Sequence, residues 1–107
     1  MRAALVRSNW FKADVCGAFV WYQDQAGRDV VIRLAEALRD VLKLVQTHPE
    51  ISPLRNIAGV RIRSFPLREF PYVLYWDYDG KTVILASFLH ASRDRAAIIA
   101  GRYPWRI

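Results

Sequence analysis

The sequence of 107 residues contains one cysteine, Cys16, five glycines and no apolar run long enough to cross a membrane. A single cysteine excludes an internal disulfide and a paired-cysteine zinc site, and it fits a reducing, cytoplasmic compartment. We expect Cys16 to be a small buried hydrophobe, as a lone cysteine in an apolar segment usually is. Arg2 and Arg7 interrupt the first apolar residues too early for a signal peptide. The sequence therefore predicts a cytoplasmic protein with no membrane segment.

The usual sequence motifs of cofactor and metal sites are also missing. There is no glycine-rich phosphate loop, and His48 and His90 lie far apart without a carboxylate at metal-ligand spacing. Glu50 and Glu69 are isolated acids rather than a catalytic pair. The sequence therefore predicts neither a bound metal nor a cofactor.

Positive charge and aromatic side chains are abundant. Sixteen Lys and Arg against ten Asp and Glu give a net charge of +6, and aromatic residues make up 13% of the chain. Such a balance predicts an acidic partner, either nucleic acid or an acidic protein, unless the charge serves only solubility. The length and the 53% hydrophobic content predict one domain over residues 1–107 with a single core.

The first half of the chain has the pattern of a strand followed by two helices. Residues 3–6 form a short apolar segment typical of a strand, and Ser8-Asn9 can cap a helix that ends near Gly27. A second helix should stop by residues 47–48, because Pro49 disfavours helical geometry in the residue before it. The apolar residues at helical spacing are Phe11, Val15, Ala18, Phe19 and Tyr22 in the first helix, and Val31, Leu34, Ala35, Leu38, Val41, Leu42 and Val45 in the second.

The second half has the alternation of an antiparallel sheet. Residues 50–59 carry loop signals, and strands are predicted over residues 60–65, Tyr72–Tyr78 and Thr82–His90. A short helix is expected over residues 95–100. The predicted fold class is therefore α+β, with an N-terminal strand, an antiparallel two-helix hairpin and an antiparallel three-strand meander.

Asp79-Gly80 predicts a two-residue hairpin turn with positive φ at both positions. That turn would pair Tyr78 with Lys81, Trp76 with Val83, Leu74 with Leu85 and Tyr72 with Ser87. The opposite side of the hairpin would then carry Val73, Tyr75, Ile84, Ala86, Phe88 and His90.

Basic side chains recur at the predicted ends of these strands. If the strands are neighbours, we expect the basic residues to gather at one edge of the sheet, which we call the basic rim. Such a rim could hold a nucleic-acid backbone and stabilise charge at a cleaved phosphate, because arginine is always ionised and presents several donors. The rim would contain Arg61, Arg63, Arg68, His90, Arg93 and Arg95.

Each of these residues also has a structural interpretation. His90 can move a proton near neutral pH, but a hydrogen bond to local backbone is the commoner role of a histidine at a strand end. Tyr72 or Tyr75 can stack on a base, or can simply pack in the sheet. Arg61 and Arg63 can contact a partner protein or form a solvated face.

The sequence FPYVLYW over residues 70–76, followed by HASRD over residues 90–94, resembles the C-terminal half of the RelE/ParE superfamily of bacterial toxins. Trp21-Tyr22 and His48-Pro49 are consistent with the N-terminal half. The resemblance implies the toxin of a type II toxin–antitoxin system, held inactive in a hetero-oligomer by an acidic, partly disordered antitoxin.

Members of this superfamily act in two ways. ParE-like members, which include plasmid stabilisation proteins, inhibit DNA gyrase, whereas RelE-like members cut messenger RNA on the ribosome. The two motifs are closer to the ParE-like side, and residues 53–58 lack the lysines of RelE. The resemblance thus implies gyrase inhibition first, a ribosome-dependent endoribonuclease as the alternative, and a non-toxic nucleic-acid-binding or regulatory domain as the second alternative.

The resemblance also assigns roles to individual residues. In a ribonuclease, the catalytic residues would be Arg61, His90 and Arg93. In a gyrase inhibitor, residues 102–106 would join a contact surface with graded contributions. The expected target-binding residues are Arg61, Arg63, Arg68, Tyr72, Arg93 and Arg95.

Overall fold

The protein is described by a computed structural model that covers residues 2–105 and residue 107. The elements are β1 (Ala4–Arg7), α1 (Asn9–Ala26), α2 (Arg28–Thr47), β2 (Arg55–Ile57), β3 (Val60–Pro66), β4 (Tyr72–Tyr78), β5 (Thr82–His90) and α3 (Arg95–Arg102). The strands form one sheet in the order β1-β5-β4-β3-β2, with β1 parallel to β5 and the other neighbours antiparallel. The predicted α+β architecture is confirmed.

Local capping explains where the helical hairpin begins and turns. The Ser8 hydroxyl accepts a hydrogen bond from the Phe11 N–H at 3.0 Å and donates to the Ala86 carbonyl at 2.9 Å, so the buried cap also ties α1 to β5. Gly27 separates α1 from α2. Its φ of 85° is a backbone conformation that residues with a side chain rarely adopt. The predicted ends of both helices are confirmed.

The sheet has two different faces. One face, which we call the hairpin face, packs against α1 and α2 and contains the larger core. The other, which we call the α3 face, is covered in part by α3 and contains a smaller core. The hairpin-face core includes Leu34, Leu38, Val41, Val45, Leu74, Trp76, Val83, Leu85 and Phe88, and the α3-face core includes Val60, Ile62, Tyr75, Ala86, Leu89 and Ile99.

The turn between β4 and β5 differs from the prediction. Only Gly80 of the two turn residues has a positive φ, of 96°. The Asp79 carboxylate accepts hydrogen bonds from the backbone N–H groups of Lys81 at 2.9 Å and Thr82 at 2.8 Å. These bonds stabilise a connection between β4 and β5 that is longer than the predicted two-residue turn. They can do so because an aspartate side chain can replace the backbone acceptor of a tight turn.

The predicted register of this hairpin is wrong. A β-bulge inserts Ala86 between two regular stretches of the ladder and moves the residues beyond it to the other face. Phe88 therefore lies on the hairpin face rather than beside Tyr75. The observed pairs are Tyr78–Val83, Trp76–Leu85, Leu74–Phe88 and Tyr72–His90.

Strand β2 lies inside the segment that was predicted to be a loop. Ala58 and Gly59 have φ angles of 51° and 88°, and the Asn56 side chain accepts a hydrogen bond from the Gly59 N–H at 2.8 Å. Two consecutive residues with positive φ form a tight hairpin turn, which lets Arg55–Ile57 pair with β3. The same residues that signalled a loop therefore form a hairpin.

Helix α1 carries apolar side chains on more than one side. Phe11 and Ala18 are buried, while Val20 and Trp21 are exposed. Cys16 is also exposed, so the expectation that it is buried is wrong.

Among the described residues, no helix combines the length and the apolar content needed to span a membrane.

Candidate functional site

The basic rim does not form, because its members lie at two ends of the sheet. Arg63 pairs with Trp76, whereas His90 pairs with Tyr72. If the pairing of β3 with β4 continues in the same register, Arg61 lies level with Tyr78. Tyr78 is six residues from Tyr72 along β4, so Arg61 and His90 are separated by roughly 20 Å along the strands, at about 3.3 Å per residue. In an antiparallel meander the first and third strands run in the same direction. The beginning of β3 and the end of β5 must therefore lie at opposite ends.

Arg63 and Arg68 have separate surroundings. The Arg63 guanidinium donates a hydrogen bond to the Ser52 carbonyl at 2.5 Å and lies 3.5 Å from the Glu50 carboxylate, so it anchors the loop before β2. Arg68 is exposed in the connection from β3 to β4 and lines a groove against α2 that also contains Glu36 and Asp40. Neither arginine lies beside His90.

Tyr72 lies at the end of the sheet where β4 begins. Its ring stacks on Phe88 with centroids 4.7 Å apart and meets the edge of His90 at 5.2 Å. Burial raises the pKa of the Tyr72 phenol, Tyr22 raises it further, and Arg93 opposes them. The phenol is thus neutral at physiological pH and remains a hydrogen-bond donor.

The His90 ring is oriented by its own turn. The Ser92 backbone N–H donates to Nδ1 at 3.1 Å, and the Ser92 hydroxyl lies 2.7 Å from the same nitrogen. When Nδ1 accepts the backbone hydrogen, a neutral ring must carry its proton on Nε2. In this arrangement the Nε2–H of His90 is a hydrogen-bond donor.

Arg93 and Arg95 line an open groove of about 890 Å³ on the α3 face. Arg95 donates a hydrogen bond to the Tyr75 hydroxyl at 3.2 Å, and Arg55 approaches from β2 on the other side. The Asp94 carboxylate also lines the groove and accepts a hydrogen bond from the Ala97 N–H at 3.3 Å as the cap of α3. We call this region the arginine groove; its lining includes Arg55, Ser64, Tyr75, Arg93, Asp94 and Arg95.

Arg93 also reaches the aromatic end of the sheet. It lines a small pocket together with Trp21, Tyr72 and His90, on the side of α1. The structure therefore brings Tyr72, His90 and Arg93 together and connects them through Arg93 to the arginine groove. Of the sequence-predicted set, Arg61, Arg63 and Arg68 stay apart from this group.

A buried ion pair was missed from the sequence. Arg102 on α3 contacts the Asp14 carboxylate on α1 at 2.6 Å and 3.0 Å, and the two side chains are 12% and 7% exposed. Asp14 also accepts a hydrogen bond from the Phe88 N–H at 2.9 Å, and the Arg102 guanidinium lies 4.6 Å from the Trp10 ring centroid. One signal of this pair was present in the sequence. Asp14 is three residues after buried Phe11 and four before buried Ala18, so it lies on the buried face of α1.

This pair removes Arg102 from the expected contact surface over residues 102–106, because its guanidinium is held inside the fold. Arg106 lies outside the described residues.

Within residues 2–105 and 107, no group of three or more His, Cys, Asp or Glu is placed to hold a metal ion.

Two comparisons match the chain to known proteins. A family model described as "ParE toxin of type II toxin-antitoxin system, parDE" matches residues 6–95. A chain of the solved structure titled "Chromosomal ParDE TA system from P. aeruginosa" has a TM-score of 0.72 with this chain at 14% identity, covering 85% of this chain and 98% of that one. At that identity the likeness shows a shared fold. No curated protein gives a significant match.

Proposed function

Because the chain belongs to the ParE toxin family of type II toxin–antitoxin systems, we propose that it is a toxin that arrests bacterial growth by inhibiting DNA gyrase. The family match carries this proposal, since residues 6–95 include the helical hairpin, strands β2 to β5 and the end of β1. The separation of Arg61 from His90 supports the choice of gyrase over messenger RNA. A nuclease needs its proton-transfer and charge-stabilising groups within reach of one phosphate.

Ribosome-dependent cleavage of messenger RNA is the second candidate function. One observation favours it: Tyr72, His90 and Arg93 share one pocket, so a donor, an imidazole and a fixed cation lie together. This trio lacks Arg61, which the resemblance had assigned to catalysis. A non-toxic binding domain with the same fold is the third candidate, and it would use the same basic surface without arresting growth.

Membership of the family also implies an antitoxin partner. We propose that this antitoxin is acidic at its toxin-binding segment, because the chain carries a net charge of +6. We further propose that toxin and antitoxin form a hetero-oligomer in which the segment folds on binding.

The test starts with growth. Induction of this chain alone should arrest bacterial growth and induce the DNA-damage response, and co-expression of the small protein encoded beside it should restore growth. Purified protein should inhibit supercoiling by gyrase while translation in a cell-free extract continues. Normal growth at confirmed soluble expression would contradict the toxin assignment and favour a binding domain.

A matched pair of variants separates the two activities. Under gyrase inhibition, His90→Ala should weaken supercoiling inhibition modestly, as expected of one residue in a contact surface. Under ribonuclease activity, the same change should slow cleavage of ribosome-bound message by about a hundredfold or more, the scale of losing a general acid–base. Arg39→Ala, on the exposed side of α2, is the control. Cleavage of message by protein that leaves gyrase active would reverse the order of the candidates.

A further inference from the structure

The arginine groove brings together three guanidinium groups from three separate segments. Arg55 belongs to β2, Arg93 to the turn after β5, and Arg95 to the first residue of α3. Among residues 2–105 and 107 the structure contains two ion pairs, Arg63–Glu50 and Arg102–Asp14, and neither uses a groove arginine. Three arginines that line one groove without a protein carboxylate paired to them favour an anionic ligand with several charges.

The floor and walls of the groove provide the remaining parts of such a site. Ser64 and Tyr75 face each other across β3 and β4, and their hydroxyl groups line the groove between the arginines. Ile57 and Pro66 add apolar surface at its side. Hydroxyl and guanidinium donors beside apolar surface suit a phosphate chain whose sugars and bases also need contact.

A second groove of the molecule shows that this charge pattern is local. That groove, between α2 and the connection from β3 to β4, is lined by Arg33, Arg68, Glu36, Asp40 and Glu69. Its three acids outnumber its two arginines, so it repels a polyanion. In the arginine groove, Asp94 is the one acid in the lining, and its carboxylate is engaged as the cap of α3.

An extended acidic peptide fits the groove less well than a phosphate chain does. Peptides commonly bind by adding a strand to a free sheet edge, with regular main-chain hydrogen bonds. Here the free edge belongs to β2, which has only three residues, and Pro66 at the end of β3 has no N–H to donate. The groove thus offers side-chain donors rather than a continuous backbone edge.

We infer that the arginine groove binds the phosphodiester backbone of a nucleic acid through Arg55, Arg93 and Arg95. The inference rests on the proposed function only for the source of the ligand: a gyrase inhibitor meets DNA at its target, whereas a ribonuclease meets RNA. The groove itself recognises phosphate, and the binding is independent of sequence because contacts to phosphate carry no base information.

Direct binding of fluorescent oligonucleotides tests the inference without gyrase or ribosomes. Anisotropy titrations should use duplex DNA, single-stranded DNA and single-stranded RNA of equal length over a series of salt concentrations. The wild-type protein should bind at least one of them, with an affinity that falls as salt rises. The oligonucleotide that binds most tightly identifies the source of the phosphate.

The double variant Arg55→Gln/Arg93→Gln should weaken that binding by about tenfold or more and reduce the salt slope by about two, one for each lost phosphate contact. Its melting temperature should not change, since both side chains are exposed. The control, Arg33→Gln/Arg39→Gln, removes the same charge from exposed positions of α2 and should weaken binding by no more than about threefold, the part due to net charge.

Three results would overturn the inference. They are no binding to any oligonucleotide at low salt, equal losses in the groove and control variants, and groove-dependent binding of a polyglutamate peptide in place of nucleic acid. None of them decides the proposed function, because inhibition of supercoiling by the wild-type toxin is measured separately. A groove variant that loses oligonucleotide binding but still inhibits gyrase would retain the inference and show that inhibition does not need the groove.

Discussion

The hairpin face of the sheet is covered by two helices of 18 and 20 residues, whereas the α3 face is covered by one helix of eight. The longer helices bury a continuous apolar layer, which includes Leu34 and Trp76. On the α3 face, Ile99 buries a smaller cluster and leaves the arginine groove open beside it. The hairpin face therefore carries most of the core, whereas part of the α3 face remains open.

The Asp14–Arg102 pair joins the two faces around the edge of β5. Strand β1 covers that edge only as far as Leu85. Beyond it, Asp14 accepts the free N–H of Phe88 and holds Arg102 of α3 at the same time. The end of α3 is thus attached to α1, on the opposite side of the sheet.

Breaking this link should be among the largest effects on stability. Asp14→Ala leaves the Arg102 guanidinium buried without a partner, and we expect a loss of about 3–5 kcal/mol in the free energy of unfolding. Urea denaturation measures it. Asp24→Ala, on the exposed side of α1, is the control and should change stability by less than about 0.5 kcal/mol.

The double variant Asp14→Ala/Arg102→Met removes the unpaired charge and should recover part of the loss. A double variant as unstable as Asp14→Ala alone would mean that the Phe88 N–H bond, rather than the ion pair, carries the effect.

The helical hairpin was predicted well because its signals are local. The apolar stripe of α2 repeats at the helical period, and Ser8, Gly27 and Pro49 mark the ends by their own backbone chemistry. The antiparallel meander of β3, β4 and β5 followed from alternation and from turn residues. These features depend on neighbours in sequence, so one sequence is enough to find them.

The parts that were missed depend on contacts between distant residues. The bulge at Ala86 leaves no mark in the alternation of β5, yet it moves Phe88 to the other face. Asp14 and Arg102 are 88 residues apart, and no local pattern connects them. The basic rim failed for a different reason, because the predicted antiparallel meander already places the beginning of β3 and the end of β5 at opposite ends of the sheet.

The second prediction compares the two cores directly. Ile99→Ala on the α3 face should lower the free energy of unfolding by about 2–3 kcal/mol, and Leu34→Ala on the hairpin face by about 3–5 kcal/mol, because a short helix can shift to fill part of the cavity. Hydrogen exchange should show lost protection confined to α3 in the first variant and spread over the sheet in the second. Equal losses with the same pattern would mean that the two faces unfold as one unit.

The third prediction concerns the charges of the α3 face. Arg93→Gln should change the free energy of unfolding by less than about 0.5 kcal/mol, because the side chain is exposed and makes no ion pair among the described residues. Thermal melting at low and high salt measures this. A loss of more than about 1 kcal/mol would assign Arg93 to the fold instead of to binding.

The smallest expected effect is a pH dependence from Tyr72 on the hairpin face. Burial, with Tyr22, raises the pKa of its phenol in the folded protein, against a weaker opposing effect of Arg93. The stabilisation that results is complete below the unfolded pKa, at about pH 10, and is lost as the pH rises through the higher folded value. Tyr72→Phe should therefore show a shallower loss of stability than wild type above about pH 10, and equal pH dependence below it. Absorbance titration of the phenolate should show the last-ionising tyrosine disappear in this variant. Its persistence would place the perturbed phenol elsewhere.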